Sequence, residues 1–311
     1  MFRAVGTFLT ARVFWRYGMK PKLKTTLVEF MLVVPALALF ILFVVYPLLG
    51  GIYYSFTSWN GIDINIKFVG FKNYLSIFKD KYVLEPMANT FIFAFFSMIL
   101  LNVLGLVFAV GLERLTRGKN LMRALLFVPA VLSSLVVGYI FKFIFGEPVA
   151  ALGKILGSSV MANNLLGSKD YVLAMGILVA TWKMAGWYMV IYIAGLQNID
   201  QSLYEAADID GATGWKKFRY VTFPLIAPAF TINMVLSVER AFKEYDLLFA
   251  LTGGGPGRAS ELISMTIYNE SFTNKRAGYG SALGVILFLI IVAITLFQML
   301  VLRRRENDIN Y

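Results

Sequence analysis

A lysine that could bind a polar molecule, Lys183, lies about halfway along a long apolar segment of the sequence. Trp187 follows one helical turn later, with Tyr188 beside it. A charge within such a segment is energetically unfavourable and usually marks a polar cavity. The ammonium group can donate hydrogen bonds to polar groups of a ligand, and the aromatic rings can stack on its apolar faces. The three side chains form a candidate binding site, with ion pairing between helices as the alternative.

A second group of charged residues lies in another apolar segment further along the chain. At helical spacing Glu239, Lys243 and Asp246 share one face, and Arg240 and Glu244 lie on another. These side chains could line the same polar cavity as the lysine and bind hydroxyl groups. They could equally form ion pairs four residues apart, Glu239 with Lys243 and Arg240 with Glu244. The sequence leaves both interpretations open.

The residue types needed for most catalytic and metal sites are absent. The chain has no His and no Cys, which excludes thiol nucleophiles, imidazole bases and zinc ligation by these side chains. A phosphate-binding loop needs a glycine, four residues and then Gly-Lys-Ser/Thr. Neither Gly118-Lys119 nor Gly153-Lys154 has that context. We therefore assign no catalytic residue, no metal site and no cofactor bound by this chain, and expect that it is not an enzyme.

The elements that must position these side chains are long apolar helices. Hydrophobic residues make up 59% of the 311 residues and charged residues 15%, against roughly a quarter charged in an ordinary soluble domain. Crossing the hydrocarbon core of a bilayer takes about 20 apolar residues as a helix. Six segments qualify: 28–54, 87–112, 121–145, 171–196, 224–251 and 279–302. The sequence therefore predicts an all-α integral membrane protein with six transmembrane helices.

Positive charge is concentrated near both ends of the chain. The leader before Glu29 contains Lys and Arg but no acidic residue, and residues 303–305 are all Arg. Because Lys and Arg collect on the cytoplasmic side of a membrane, both termini are predicted to be cytoplasmic. This explains the net charge of +11 without nucleic acid. Residues 1–26 are predicted to contain a helix that lies on the inner surface of the membrane, in contact with lipid. Residues 27–311 are predicted to form the transmembrane domain.

The connection between the fourth and fifth spans, residues 197–223, has the signals of two short helices. Ser202 and Glu205 have the spacing of a capping box that begins the first helix. Gly211 can adopt the left-handed conformation that ends it, and Pro224 is predicted to begin the fifth span. The first helix is too acidic for one that rests on an anionic lipid surface. It therefore needs a protein partner with a basic groove.

This connection resembles the hallmark loop of the permease subunits of binding-protein-dependent ABC importers. The family has Glu-Ala-Ala, three residues, Gly, nine residues and a tetrapeptide ending in proline, and this chain matches that spacing from Glu205 to Pro224. The resemblance implies the six-helix type I permease fold, and a loop that docks into a groove of an ATP-hydrolysing subunit with Glu205 as ionic anchor. We call residues 197–223 the coupling loop. The implied coupling residues are Glu205, Ala206, Ala207, Asp210, Gly211 and Pro224.

The same resemblance implies the partners and the location. The partners are a second homologous permease subunit, two ATP-binding subunits that hold ATP and Mg, and an extracytoplasmic solute-binding protein. The location is the cytoplasmic (inner) membrane of a bacterium or archaeon. The Gly-rich tract at 252–257 is similar to the carbohydrate branch, on the side equivalent to the larger maltose permease subunit. It implies a sugar substrate, and the slight positive excess of the intramembrane charges favours an acidic saccharide. The predicted substrate path comprises Lys183, Trp187, Tyr188, Glu239, Lys243 and Asp246.

Two other functions are open to a chain of this composition. The alternative is a secondary transporter driven by an ion gradient, which an inverted repeat and helices broken in mid-membrane would indicate. The sequence shows neither, and that class does not explain the coupling loop. A membrane enzyme would need clustered carboxylates or a nucleophile–base pair near one interface. Here the acidic residues alternate with basic ones.

Overall fold

The computed structural model describes residues 21–162 and 164–307, and these are mostly helical. Within these ranges the only extended pairing is an isolated antiparallel bridge between Thr57 and Phe68. The membrane-surface helix predicted in residues 1–26 lies almost entirely outside the described residues. The predicted all-α architecture is confirmed.

The chain divides into two compact units, of which the first, Met1–Tyr54, contains the first predicted span. Helix α1 (Pro21–Phe40) continues through a π-helical turn at Ile41–Val45 into helix α2 (Tyr46–Ser55). The segment Glu29–Ser55 is long and apolar enough to cross a membrane, and its most apolar stretch contains no buried residue. Such exposure of apolar side chains is expected of a helix that faces lipid.

The second unit, Ser55–Tyr311, contains the remaining helices. They are α3 (Lys72–Ile77), α4 (Lys81–Glu113), α5 (Lys119–Val131), α6 (Ser134–Phe145), α7 (Glu147–Ile155), α8 (Ser159–Ala162), α9 (Val172–Gln197), α10 (Gln201–Ile209), α11 (Gly214–Lys217), α12 (Phe223–Leu225), α13 (Ala227–Phe242), α14 (Asp246–Thr252), α15 (Ile263–Tyr268) and α16 (Ala277–Asn307). Further π-helical turns occupy Phe218–Thr222 and Asn269–Thr273. By length and composition, five helices of the described chain could span a membrane, or six if one bent pair counts as a span.

Helix α9 is the central element of the second unit. It packs along α4 and also contacts α5 and α13. Small residues allow these close approaches: a Cβ atom at Gly186 would lie 2.0 Å from the carbonyl oxygen of Leu126 on α5. The surrounding core is apolar and includes the buried side chains of Phe93, Val179 and Leu248. Because α9 is packed on several sides, it fixes the positions of the helices that carry the candidate site.

The third predicted span, 121–145, consists of two helices rather than one. Helix α5 ends at Val131 and α6 begins at Ser134, with Leu132 and Ser133 in non-helical conformations at ψ values of 145° and 136°. Serine competes with helical hydrogen bonding by stabilising other backbone conformations. Two adjacent serines therefore favour a break at this point. The expectation that no span is broken is wrong here.

The fifth predicted span, 224–251, is also two helices, α13 and α14, separated at residues 243–245. Its start differs from the prediction as well, because the chain bends by 69° at the residue before α13, Ile226. Pro228 lies in the first turn of α13, where its missing N–H has no helical partner to lose. Pro228 rather than Pro224 therefore marks the beginning of the membrane helix.

Candidate functional site

The coupling loop begins with a helix cap that differs from the predicted one. Asp200 is the N-cap of α10, and its carboxylate accepts a hydrogen bond from the amide of Ser202 at 2.9 Å. Hydrogen bonds from the amide and then the hydroxyl of Ser202 lower the pKa of Asp200. The predicted capping box of Ser202 and Glu205 is therefore wrong, because the carboxylate of Asp200 already caps the first turn. Glu205 is exposed, and its carboxylate is available to a partner.

Gly211 ends α10 as predicted. Its φ of +69° lies in the left-handed region, which glycine adopts without steric strain. The amide of Ala212 donates to the carbonyl oxygen of Ala207 at 2.9 Å and closes the helix end. Apart from Gly211 itself and its two chain neighbours, no described residue has a heavy atom within 4 Å of the position that a Cβ on Gly211 would occupy. The backbone conformation, rather than a lack of space, therefore requires glycine.

Two side-chain contacts join the helices of the coupling loop. Lys217 on α11 forms an ion pair with Asp208 on α10, with 2.5 Å between Nζ and Oδ1. The hydroxyl groups of Tyr204 and Thr222 lie 3.0 Å apart, and the side chain of Ala207 is buried. These contacts make the loop one compact unit.

The outer surface of the coupling loop carries both acidic and apolar side chains. Ala206 and Asp210 are exposed beside Glu205. Ile209 and Trp215 are 88% and 72% exposed. Exposed apolar groups of this size next to carboxylates are typical of a protein-binding surface with a charged rim.

The breaks of the third and fifth spans meet at the other end of α13. Helices α6 and α14 pack against each other, and a Cβ at Gly138 would lie 2.6 Å from the Cβ of Ala250. A cleft of about 290 Å³ lies beside this contact, and we call it the polar cleft. It is lined by Ser134, Glu239, Arg240, Lys243, Glu244, Tyr245 and Asp246. Because every lining side chain carries a polar group, the cleft suits a polar ligand.

Within the polar cleft the predicted Glu239–Lys243 ion pair is present, with 2.5 Å between Nζ and Oε1. The predicted pair of Arg240 and Glu244 is not formed among the described residues. The carboxylate of Glu244 instead accepts a hydrogen bond from the amide of Leu247 at 3.2 Å. Glu244 is thus part of the break between α13 and α14.

The remaining residues of the predicted substrate path lie outside the polar cleft. Lys183 is 4% exposed and borders a separate inner cavity of about 10 Å³. Tyr188 is 1% exposed and packs with Leu101 in the core. Trp187 lies on the outside of α9, where its ring stacks on Phe127 with 6.0 Å between centroids. The structure therefore brings the residues from the fifth span together and leaves those from the fourth span apart.

Two cleft residues, Ser134 and Tyr245, were not singled out from the sequence. A signal for Tyr245 is present, because residues 243–246 are four consecutive polar residues. Consecutive residues on a helix point in different directions, so these four cannot all share one polar face. The serines at 133–134 give a similar signal within an apolar segment. Both runs coincide with the helix breaks.

Comparison with known proteins agrees with this architecture. The family model of the binding-protein-dependent transport system inner membrane component matches residues 101–307. The chain is 35% identical over 276 residues to the probable starch degradation products transport system permease protein AmyD of Thermoanaerobacterium thermosulfurigenes, covering 89% of this chain and 94% of AmyD. It is 32% identical over 275 residues to the multiple sugar-binding transport system permease protein MsmF of Streptococcus mutans serotype c, covering 88% of this chain and 94% of MsmF.

A solved structure has the same fold. It is the crystal structure of a bacterial alginate ABC transporter in complex with alginate pentasaccharide-bound periplasmic protein, matched with a TM-score of 0.78 and 20% identity over 92% of this chain and 97% of that one. With two relatives above 30% identity over most of both chains, the family is established. The chain belongs to the binding-protein-dependent transport system inner membrane components, the permease subunits of ABC importers.

Proposed function

We propose that this chain forms one half of the membrane pathway of an ATP-driven importer for a sugar or oligosaccharide. The observation that carries the proposal is the placement of the coupling loop and the polar cleft at opposite ends of α13. The loop joins α13 through Ile226, which is fully buried. A movement of the loop can therefore be transmitted to the cleft. The names of AmyD and MsmF, which refer to starch degradation products and multiple sugars, support a sugar substrate.

The coupling loop is proposed to dock into a groove of an ATP-hydrolysing subunit. Its exposed carboxylates, Glu205 and Asp210, offer charge to a basic groove, and its exposed apolar side chains can fill that groove. The left-handed conformation of Gly211 separates the two short helices and would allow the second helix to turn back towards the membrane. Ala206, Ala207 and Pro224 complete the motif. The short side chain of Ala206 is exposed and allows a close approach of the partner, whereas Ala207 is buried.

The proposed assembly contains more than this chain. A cleft lined by one chain on one side needs a second surface to enclose a ligand, which a homologous permease subunit would provide. Two ATP-binding subunits would hold ATP and Mg, and an extracytoplasmic binding protein would deliver the substrate. The alginate transporter matched in fold is described in complex with a periplasmic protein that carries an alginate pentasaccharide. That description supports the binding-protein partner.

The polar cleft is proposed as the segment of the substrate path contributed by α13 and α14. Glu239, Lys243 and Asp246 offer charged hydrogen-bonding groups to hydroxyls, and Tyr245 offers an aromatic ring. Trp187 has an exposed ring that can contribute from the fourth span. The cleft lining has three carboxylates against the two cations Arg240 and Lys243. The cleft therefore does not support the expected preference for an acidic saccharide, and the proposed substrate class is a sugar or oligosaccharide.

An ion-gradient-driven secondary transporter is the alternative function, and broken spans are a feature of that class. Any membrane protein can contain a helix break where the irregular backbone lines a polar cavity. The breaks therefore do not distinguish a secondary transporter from an ATP-driven importer. A gradient-driven carrier does not need to dock an ATP-hydrolysing subunit, so its function does not explain a compact cytoplasmic loop with exposed acidic and apolar side chains. The coupling loop therefore favours the ATP-driven importer.

Asp246→Ala is expected to raise the substrate concentration for half-maximal uptake about tenfold. Loss of a hydrogen bond to a charged group costs about 1.5–3 kcal/mol, and 1.4 kcal/mol corresponds to about a factor of ten. The measurement is uptake into vesicles that contain the whole transporter, with the binding protein in excess. Glu85→Ala, an exposed acid on α4 outside the cleft, is the matched control. If the substrate concentration for half-maximal uptake is the same in the two variants, Asp246 does not contact the substrate.

The orientation predicts a labelling pattern. Because the chain contains no Cys, an introduced cysteine is the only thiol in it. Ser202→Cys in the exposed first turn of α10 is expected to react only with membrane-permeant reagents in intact cells. Ile64→Cys, at a position 96% exposed, is expected to react with impermeant reagents. The reverse pattern would mean that the coupling loop faces outward.

A further inference from the structure

Lys183 lies in an inner cavity that shares a wall with the polar cleft. The cavity is about 10 Å³ in volume, and its polar lining comes from Ser97, Lys183, Ser237, Arg240 and Glu244. Arg240 and Glu244 line the polar cleft as well. These two side chains therefore form the wall between the cleft, where substrate is proposed to bind, and the cavity that holds Lys183.

The ammonium group of Lys183 needs a compensating charge. Lys183 is 4% exposed. Its Nζ lies 3.9 Å from the sulfur of Met184, and a thioether sulfur is a weak acceptor. No direct ion pair of Lys183 with a carboxylate occurs in the described part of the chain. A buried ammonium without compensation is strongly unfavourable. Glu244 is the one carboxylate among the residues that line the same cavity.

The size and polarity of the inner cavity allow this compensation through a bridging water. A volume of about 10 Å³ is close to the minimum for one water, which needs two to four polar partners. The hydroxyl of Ser97 is buried and has no hydrogen-bond partner among the described residues. Lys183, Glu244 and Ser97 together supply the donors and acceptors that such a water requires.

Glu244 determines the geometry of the helix break in two ways. Its carboxylate accepts a hydrogen bond from the amide of Leu247 at 3.2 Å, in the first turn of α14. Amides in the first turn of a helix have no partner within the helix. Its backbone carbonyl oxygen accepts a hydrogen bond from the hydroxyl of Ser264. The position of Glu244 therefore sets where α14 begins and where Asp246 stands in the polar cleft.

We propose that Lys183 is a positioning residue for the polar cleft rather than a contact of the substrate. As the buried counter-charge of Glu244, it holds that carboxylate at the start of α14 and so fixes the cleft geometry. Arg240 supplies a second positive charge on the same cavity. The effect on substrate rests on the proposed function, whereas the effect on α14 does not.

A charge-deletion cycle tests this role in the assembled transporter. Glu244→Gln keeps an acceptor for the amide of Leu247 but leaves Lys183 and Arg240 facing one cavity without a carboxylate. We expect amide hydrogen exchange in residues 246–252 to accelerate at least about tenfold, with a similar rise in half-saturation for uptake. Lys183→Met should change the exchange rate and the half-saturation by less, because the positive charge of Arg240 still balances the negative charge of Glu244. The double variant Lys183→Met/Glu244→Gln should return to within about threefold of the parent.

The outcome distinguishes positioning from direct contact. If Lys183 bound substrate itself, the two losses would add, and the double variant would transport worse than either single variant. That result, or unchanged exchange in Glu244→Gln, would overturn the proposal. If Glu244→Gln yields no intact transporter, recovery of the double variant supports the proposal and equal loss overturns it. Lys154→Met, an exposed lysine on α7, is the control for loss of one positive charge.

Hydrogen exchange in the substrate-free transporter separates this proposal from the proposed function. Should the parent transport no sugar, the uptake arm fails for every variant. The exchange pattern at α14 would still show the rescue. A rescue in exchange without sugar uptake would therefore retain Lys183 as a positioning residue and reject the sugar substrate.

Discussion

Glu205→Lys is expected to abolish ATP-driven uptake, with an effect at least about tenfold larger than that of Glu205→Ala. Glu205 is exposed on α10 and is not used by the helix cap, which Asp200 provides. Removing one partner of a charge pair across an interface costs about 2–5 kcal/mol. Reversing the charge adds repulsion from the basic groove that we propose for the ATP-hydrolysing subunit. The loss of uptake should be smallest for Glu205→Gln, larger for Glu205→Ala and largest for Glu205→Lys.

The measurement for Glu205 combines two assays on the reconstituted transporter. Retention of the ATP-binding subunits in a pull-down reports docking, and substrate-stimulated ATP hydrolysis reports coupling. The membrane part should remain intact, because the side chain of Glu205 is exposed and α10 keeps its cap. Full retention and normal uptake with lysine at this position would show that the coupling loop does not dock through Glu205.

Gly138→Leu is expected to reduce uptake at least about tenfold and to destabilise the transporter. A Cβ at this position would lie 2.6 Å from the Cβ of Ala250 and 2.8 Å from the carbonyl oxygen of Leu247. Because one of these atoms belongs to the backbone, α6 and α14 must separate to admit a side chain. Overpacking of this kind costs about 1–3 kcal/mol or more. The separation would also widen the polar cleft between the two broken spans.

A second glycine substitution controls for the Gly138 result. Apart from the neighbouring backbone of its own helix, Gly111 on α4 has no described atom within 4 Å of its ideal Cβ position, so Gly111→Leu should be tolerated. Thermal unfolding of the purified transporter and vesicle uptake are compared for both variants. Similar behaviour of the two would mean that the contact between α6 and α14 does not determine the shape of the cleft.

The local features of the coupling loop and of the polar cleft were predictable where their signals are short-range. Gly211 adopts the left-handed conformation that its position at a helix end indicates, and the spacing of Glu239 and Lys243 gives the ion pair that is found. The error at the start of α10 has a local cause as well. Asp200 and Ser202 are both good N-caps, and the choice between them depends on where the preceding helix, α9, ends.

The helix breaks and the burial of Lys183 were not predictable from the same signals. Hydropathy identifies a long apolar segment but does not show whether its helix is continuous. The sequence therefore predicts one span where the structure has α5 and α6. The break between α13 and α14 depends on a contact from Ser264, which lies twenty residues beyond Glu244. Whether Lys183 faces a cleft or an inner cavity depends on how α9 packs against α4 and α13. These are tertiary contacts, and a single sequence does not specify them.

We propose that this permease transports sugar only when ATP hydrolysis by partner subunits drives it. The most direct test is sugar uptake into sealed vesicles that contain this chain, its homologous permease and the ATP-binding subunits, with the loaded binding protein outside. We expect uptake that requires internal ATP and persists when ionophores remove all ion gradients. Vesicles with this chain alone should show no uptake. Uptake by this chain alone, driven by an ion gradient and abolished by the ionophore, would mean that the chain is a secondary transporter.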